Sequence, residues 1–436
     1  MATITVDQQR LVLNSFAAIF QNNLVSKDLV TWHKFDSEMN DRNGLAVVEQ
    51  VTPDYTTTFN TSSVNDLTGG VQNTTFGSEQ YKLTQVIGSS MGWGDFVKIR
   101  DIGDARESKA LLKSALRLAT DIDAYIIGFA AKASNNWIGD GSTAVGTWDS
   151  VASAYTRLKE EGNDEDSGLR AVMTYGDQQA LGSNIVSNTN NGSQTEFDDG
   201  VYRNGFTGNV AGMSTLFTQQ LPTLTVGTRV ASGTSLTNYA SGTFDNTYES
   251  VAISPAPGQF KSGVINFDGQ SGAVTIKDGE VFTIAGIYAY DNRAKKQLSH
   301  LQQFRVIGDF TATSGAFTAV RYFPAVILTG PYQTVVNTNS AGAVDELAIT
   351  HLGAASAALA PRFVANKDAI LVHTADLIMP ATGKAMRKAL TKIPVSVRMW
   401  QDSVFATGEH RVRFDVALEA NVAADARTRL IRVNGG

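Results

Sequence analysis

Apolar residues recur at helical spacing in two segments of the first third of the chain. A short helix is predicted over residues 7–23, with Asp7 as its cap. A longer helix is predicted over about 105–134, where Asp104 and Glu107 have the spacing of a capping box. About thirty residues at 1.5 Å each give a length of about 45 Å, so this helix should be a spine for other elements. Its apolar face consists of Leu111, Ala115, Leu118, Ile122, Tyr125 and Phe129.

The short helix over residues 7–23 leaves two interpretations open. Its apolar stripe precedes every other predicted core element, and it consists of Leu11, Val12, Phe16, Ile19 and Phe20. The stripe could join the core of its own chain. It could equally belong to an arm that docks on a neighbouring molecule.

Two segments of strand character, Leu45–Val51 and Glu79–Ile87, flank a polar stretch rich in turn-forming residues. This pattern predicts a long two-stranded arm, reaching about 30 Å if its strands have about ten residues each. An isolated hairpin is marginally stable in water, so the arm should need a partner surface. An ordinary hairpin folded over its own core remains the alternative.

Beyond residue 148 the pattern changes twice. A helix is predicted at Ser150–Glu161, an apolar segment at Leu169–Tyr175 and a long loop at Gly182–Gly205. Short β-type runs then follow in residues 229–345 and predict a small β-barrel or sandwich inserted into a host domain. These runs are Val274–Ile276, Val281–Ile287, Phe304–Ile307 and Phe317–Tyr322. Mixed α/β character returns after residue 346, with terminal strands near Val395–Met399, Val412–Val416 and Arg429–Val433.

Composition describes a folded, weakly charged and cysteine-free protein. Hydrophobic residues make up 42% and charged residues 18% of its 436 residues, and the net charge is −6. Such a surface suits a protein that buries much of itself against its own copies. Basic runs are no longer than a pair, such as Lys295-Lys296, which argues against a surface built to bind nucleic acid. Without a signal peptide or membrane span, a protein made in the cytoplasm is expected.

The sequence contains no constellation of motifs that predicts an enzyme. Residues 88–92 match the G-x-S-x-G pattern around Ser90, but the glycine-rich continuation disfavours the helix that a nucleophile elbow requires. The loop Gly139–Gly146 lacks the continuation of a phosphate-binding motif, and Asn163–Gly168 lacks the EF-hand pattern. No catalytic, cofactor-binding or metal-binding residue is predicted. The five histidines show no zinc-binding spacing; they are His33, His300, His351, His373 and His410.

The order of these parts resembles the Hong Kong-type shell fold of tailed phages and herpesviruses. Several strings resemble the coat proteins of short-tailed Salmonella-type phages, which carry an inserted β-domain. The strings are Arg106–Lys109 continuing to Ala133, Val210–Met213, Gln220–Thr225, Asp278–Gly286 and Val404–Gly408. The resemblance implies an α+β fold with an N-terminal arm (1–40), an extended E-loop hairpin (41–98), and a peripheral domain with the spine helix (99–148). It further implies an axial domain (149–228), an inserted β-barrel domain (229–345) and an axial and peripheral return segment (346–436).

The function implied by the resemblance is that of a major capsid protein, not an enzyme. Its copies would form hexamers and pentamers of an icosahedral virion shell, which would enclose double-stranded DNA without sequence-specific binding. A portal protein would be a further partner, assembly would occur in the host cytoplasm, and no membrane would be involved. Because only some forty residues precede the predicted hairpin, a separate scaffolding protein is expected. The alternative is a secreted β-rich carbohydrate-active enzyme or adhesin.

Overall fold

The computed structural model describes most of the chain. The described residues are 6–39, 45–51, 77–93, 109–141, 145–163, 168–188, 209–229, 232–235, 262–270, 272–339, 347–380, 384–404, 409–423 and 426–435. They contain four helices, α1 (Val6–Asn23), α2 (Lys109–Ala133), α3 (Trp148–Glu160) and α4 (Tyr175–Asn188). Together with the strands below, they confirm the predicted α+β class. Among these residues, no helix is long and apolar enough to span a membrane.

The strands are numbered in chain order. The first twelve are β1 (Thr31–Met39), β2 (Leu45–Val51), β3 (Gly77–Leu83), β4 (Val86–Trp93), β5 (Asn136–Ile138), β6 (Leu169–Met173), β7 (Asn209–Val210), β8 (Met213–Phe217), β9 (Leu224–Thr225), β10 (Ser232–Ser235), β11 (Gly263–Phe267) and β12 (Thr275–Ile276). The next twelve are β13 (Val281–Asp291), β14 (Lys296–Val306), β15 (Phe310–Thr311), β16 (Phe317–Phe323), β17 (Val335–Asn337), β18 (Ala348–His351), β19 (Ala358–Asn366), β20 (Ile370–Leu377), β21 (Lys384–Ala389), β22 (Ser396–Val404), β23 (Glu409–Val422) and β24 (Leu430–Gly435).

The predicted helices lie where the structure has helices, but their first and last residues differ. Helix α1 begins at Val6, one residue before the predicted cap Asp7. The predicted capping box at Asp104 and Glu107 lies outside the described residues. Helix α3 is capped by Thr147, whose hydroxyl accepts a hydrogen bond from the backbone N–H of Ser150 at 3.3 Å.

The predicted loop Gly182–Gly205 is wrong at its start, because α4 continues to Asn188. The reason is that hydrogen bonds cap the N-terminus of α4, a feature that the spacing of apolar residues does not show. Thr174 and Asp177 bind each other's backbone and side-chain groups as in a capping box, with the Thr174 hydroxyl 2.7 Å from Asp177 Oδ2. Arg362 then holds Asp177 through two hydrogen bonds of 2.7 and 2.9 Å. The later part of the predicted loop, residues 189–205, is outside the described range.

The described chain forms two compact units. The first unit contains residues 1–47, 81–130 and 367–423. Its sheet has the order β1-β20-β23-β22-β21, with β4 also paired to β23. Strand β1 runs parallel to β20, and the other ladders are antiparallel.

Helix α1 packs against the sheet of its own unit. Leu13, Phe16, Phe20 and Leu24 are buried, and the ring of Phe16 stacks on Phe414 with 3.8 Å between centroids. Of the two interpretations left open by the sequence, the first is therefore confirmed: α1 contributes to the core of its own chain.

The predicted strand Glu79–Ile87 is two strands. β3 pairs with β2 in a two-stranded sheet, whereas β4 joins the sheet of the first unit through β23. The break at residues 84–85 is stabilised by Glu419, whose carboxylate accepts hydrogen bonds from the N–H and hydroxyl of Thr84, each 2.9 Å long. The predicted polar tip between β2 and β3 lies outside the described residues.

The second unit contains residues 48–80, 131–366 and 424–436 and includes two larger sheets. One has the order β5-β24-β19-β6-β8-β7, with β9 paired to β19, and α3 supplies the buried residues Val151, Ala154 and Leu158 to its core. The other is antiparallel, in the order β10-β18-β13-β14-β16-β11, with β17 paired to β13. Its closure into a barrel, and the predicted domain boundaries, stay predictions.

Candidate functional site

The serine of the G-x-S-x-G pattern lies in a regular strand. Ser90 is exposed in the middle of β4 and pairs with Arg413 of β23 in the antiparallel ladder. A nucleophile elbow would place this serine on a tight turn before a helix. The sheet geometry therefore explains the pattern without any catalytic role.

The histidines that look scattered in the sequence occupy different surroundings in the structure. His33 and His373 are register partners in β1 and β20, and their rings stack at 5.6 Å. His373 also stacks on Tyr81 and forms a 2.8 Å hydrogen bond through Nδ1 with the Asn421 amide. Within the described part of the chain, no group of three or more metal-binding side chains is found. His373 therefore belongs to the core of the first unit, whereas His33 is exposed and stacks on it from the surface.

A buried carboxylate organises what we call the polar junction of the second unit, defined by Glu161, Arg157, Asn136, His300 and Arg427. Glu161 lies at the end of α3 and is 1% exposed. Its Oε1 lies 3.1 Å from Arg157 Nε and 3.4 Å from His300 Nε2, and its Oε2 accepts a 2.6 Å hydrogen bond from the Asn136 amide. One side chain thus connects α3, β5 and β14.

Arg427 connects the polar junction to further strands. Its Nη1 donates to the carbonyl oxygens of Tyr290 and Thr334, at 3.0 and 3.2 Å, and its own carbonyl accepts from the Asn136 amide at 2.7 Å. Burial raises the pKa of Glu161, but the contact with His300 and the charges of Arg157 and Arg427 outweigh burial, so this pKa lies below its usual value. The carboxylate therefore stays ionised and holds the two sheets of the unit together.

A second buried contact joins the same two sheets near Trp137. The N–H of Trp137 donates to Gln303 Oε1 at 2.6 Å, and the Gln303 amide donates back to the Trp137 carbonyl at 3.0 Å. Arg432 lies over the Trp137 ring at 5.1 Å and donates to the Gly279 carbonyl at 2.8 Å. Burial lowers the pKa of Arg432 to about 10, which leaves it a cation at neutral pH. The contacts fix the orientation of the β-rich region on its neighbouring sheet.

The first unit presents a basic surface that sequence reasoning missed. Residues 377–401 contain five Lys and Arg residues and neither Asp nor Glu. Strand β21 lies within this segment at the end of the strand order, with Lys384 and Lys388 exposed. The overlooked signal was the absence of acidic residues between Asp376 and Asp402, since contiguous basic runs alone do not reveal it.

Comparisons with known proteins give one family and several structures. The family model described as "P22 coat protein - gene protein 5" matches residues 1–425. No curated protein sequence matches the chain. A similar structure from Mycobacterium phage Che8 has 10% identity, covers 90% of this chain and 86% of its own, and gives a TM-score of 0.41. The capsid of cyanophage P-SCSP1u has 12% identity, covers 95% and 88%, and gives a TM-score of 0.43. The mature capsid of bacteriophage PhiM1 has 7% identity, covers 93% and 85%, and gives 0.40.

Proposed function

Because the chain belongs to the P22 coat protein family, it is a major capsid protein of a bacteriophage virion, and we propose that its hexamers and pentamers close the icosahedral shell around double-stranded DNA. The observation that carries this function is the match of the family model over residues 1–425. Membership also assigns the Hong Kong-type shell fold and a structural, non-enzymatic role. The secreted enzyme or adhesin considered from the sequence is therefore not retained.

Exposed aromatic side chains supply one proposed contact between copies. Trp148 at the start of α3 is 48% exposed, and Tyr175 at the start of α4 is 53% exposed. Trp and Tyr are enriched among the residues that contribute most to protein interfaces. We expect the double variant W148A/Y175A to stay folded but to assemble poorly, as measured by sedimentation. Wild-type particle yield would exclude these side chains from the assembly contacts.

The paired strands β2 and β3 supply a second proposed contact. A two-stranded sheet is marginal alone, so the arm should be ordered by a neighbouring copy. Deleting residues 60–72 should leave a folded chain with a strongly reduced yield of shells. Unchanged yield would refute an intersubunit role of the arm.

Assembly is proposed to require partners besides the chain itself. Copies of one sequence must form both pentamers and hexamers, and closed symmetry alone does not fix the size of the shell. A separate scaffolding protein would select that size, and a portal protein would occupy one site of the shell. Assembly would take place in the host cytoplasm, and DNA would be enclosed without sequence-specific binding. The contact with the scaffold should weaken as salt shortens the screening length from about 10 Å at 0.1 M.

The test is to express the chain alone and together with its scaffolding protein. Sedimentation and electron microscopy should show uniform closed shells after co-expression, and monomers, aberrant shells or mixed sizes from the lone chain. Uniform full-sized shells from the lone chain would overturn the scaffold proposal. Failure of both preparations to give any particle would contradict the proposed icosahedral assembly.

A further inference from the structure

The arm formed by β2 and β3 ends inside the first unit, at residues 81–84, which we call the arm base. Tyr81 and Leu83 are two residues apart in β3, are 2% and 0% exposed, and pack against residues of β20 and β23. The ring of Tyr81 also stacks on His373 of β20, with 4.8 Å between centroids. The arm base is therefore part of the core of the first unit.

Glu419 of β23 binds the arm base between the end of β3 and the start of β4. The antiparallel ladder of β4 with β23 extends to Val86, which pairs with Ala417. Two residues further along β23, Glu419 Oε2 accepts hydrogen bonds from the N–H and from the hydroxyl of Thr84, each 2.9 Å long. Hydrogen bonds to an ionised acceptor are roughly twice as strong as neutral ones. A side chain thus binds Thr84 where regular strand pairing ends.

The same carboxylate is also in contact with helix α2. Glu419 Oε1 lies 3.5 Å from the hydroxyl of Tyr125, which accepts a 3.4 Å hydrogen bond from the N–H of Ala420. Burial, and then the charge of Glu419, raise the pKa of Tyr125, so the phenol stays protonated and can donate to the carboxylate. Glu419 is itself 1% exposed. Its carboxylate is therefore held between the sheet and the helix, and it gives the arm base a rigid attachment point.

We propose that Glu419 is the positioning residue of the arm, and that it fixes the direction in which β3 extends toward a neighbouring copy. The inference rests on the proposed function, because it requires the arm to contact a neighbouring copy in the shell. Strand β3 has 7 residues, which span about 23 Å at about 3.3 Å each. A small rotation at Thr84 therefore becomes a large displacement at the far end of the strand.

The size of the effect follows from the population of molecules whose arm has the binding direction. If the loss of a bond at Thr84 leaves about a tenth of the molecules in that direction, the apparent affinity for the neighbour falls about tenfold. A tenfold change corresponds to about 1.4 kcal/mol. This is close to the contribution of one hydrogen bond to a charged group. One bond at the arm base is therefore enough to impair assembly while the chain stays folded.

The first measurement uses the full-length, unassembled chain with two spin labels. Because the chain has no cysteine, Ser78→Cys in β3 and Lys113→Cys in α2 supply its only attachment points. Double electron–electron resonance then gives the distribution of distances between the labels, which should be narrow in the wild type. Thr84→Val removes the hydroxyl donor and should broaden the distribution. Glu419→Ala removes both bonds to Thr84 and should broaden it further.

The second measurement is the yield of particles from unlabelled variants, determined by sedimentation after co-expression with the scaffolding protein. Thr84→Val should lower the yield about tenfold. Thr84→Ser keeps both donors and should assemble as the wild type does. Thr31→Val is the matched control, because the Thr31 hydroxyl also donates to a carboxylate of the first unit, that of Asp368. The two valine variants should lose similar stability in urea unfolding, but only Thr84→Val should lose particles.

Two outcomes would overturn the proposal. Equal distance distributions in the wild type, Thr84→Val and Glu419→Ala would show that the carboxylate does not set the direction of the arm. Equal particle yields from Thr84→Val and Thr31→Val would show that assembly does not depend on that direction. If Glu419→Ala fails to fold, Thr84→Val decides alone, because Thr84 is exposed. Absence of particles from the wild type would instead contradict the proposed shell function, and the label distances would still test the role of Glu419 at the arm base.

Discussion

The second unit contains an aromatic core, formed by the antiparallel sheet of β13, β14 and β16, and the polar junction around Glu161. The aromatic core is built from rings in T-shaped and tilted contacts, with centroids 5.3 Å apart for Phe304 and Tyr322 and 5.6 Å apart for Phe282 and Phe304. Its one histidine, His351, is 4% exposed, and neither ring nitrogen has a hydrogen-bond partner. A polar group in this core therefore opposes folding.

In the polar junction, by contrast, the buried polar groups have hydrogen-bond partners. Glu161, Asn136 and Arg427 are all buried, and each satisfies the others or a backbone carbonyl. Removing one member leaves its partners desolvated without compensation, which costs more than the pair contributes when intact. In the aromatic core an added polar group is therefore destabilising. In the polar junction the removal of a polar group is destabilising.

The largest expected effect is at the centre of the polar junction. Glu161→Ala removes the carboxylate and leaves the partly buried Arg157 and the buried Asn136 amide without their partner. We expect the free energy of unfolding to fall by about 3–5 kcal/mol. Equilibrium urea unfolding of the full chain, followed by tryptophan fluorescence, measures the loss. Glu160→Ala, at the exposed neighbouring position, is the matched control and should change the free energy by about 0.5 kcal/mol or less. Equal effects at both positions would contradict the role of the carboxylate.

The next effect is at Gly227, where the backbone lies close to the Thr275 carbonyl beside the buried ion pair of Arg229 and Glu280. Gly227 donates its N–H to Glu280 Oε1 at 2.7 Å, and Arg229 Nε binds the other oxygen of Glu280 at 2.5 Å. A Cβ at position 227 would lie 2.0 Å from the Thr275 carbonyl oxygen, so the backbone would have to move.

Gly227→Ala should therefore destabilise the protein by about 2–3 kcal/mol in urea unfolding. Gly176→Ala is the control, because its Cβ would meet only ordinary contact at 3.7 Å and α4 would gain helix propensity. Equal stability of the two variants would show that the clash at residue 227 relaxes without cost.

The sequence predicted the aromatic core better than the polar junction. The runs at Val281–Ile287 and Phe317–Tyr322 became β13 and β16 because apolar residues at strand spacing point to one buried face. No comparable signal marks the polar junction, since Asn136, His300 and Arg427 are far apart in the chain and each resembles a surface residue. The same limit hid the division at residues 84–85, which depends on the distant Glu419.

The third effect is a dependence of stability on pH that arises from the aromatic core. Burial, and then the charge of Arg229, lower the pKa of His351 to about 3. In the unfolded chain the pKa returns to about 6.5, so between these values the unfolded state binds a proton that the folded state excludes. The free energy of unfolding therefore falls as pH drops below about 6.5, by about 1.4 kcal/mol per pH unit.

At pH 5 the loss from His351 should reach about 2 kcal/mol relative to pH 7. Urea unfolding at the two pH values measures it, with H351L as the control that removes this component. An unchanged pH dependence in H351L would mean that His351 does not titrate on unfolding, and would contradict the assigned burial.

The smallest effect compares the two regions through one kind of substitution. His351→Leu removes an unsatisfied polar ring from the aromatic core and should raise the free energy of unfolding at pH 7 by about 1 kcal/mol. His300→Leu removes the imidazole that lies 3.4 Å from Glu161 Oε1, and should lower it by about 1 kcal/mol. Both measurements use urea unfolding under the same conditions, so each variant is the control of the other. The opposite signs follow because leucine matches the apolar surroundings at residue 351, whereas at residue 300 it removes one of the two polar neighbours of the buried Glu161 Oε1 and leaves only Arg157. Equal signs would show that side-chain volume, and not polarity, decides the outcome in both places.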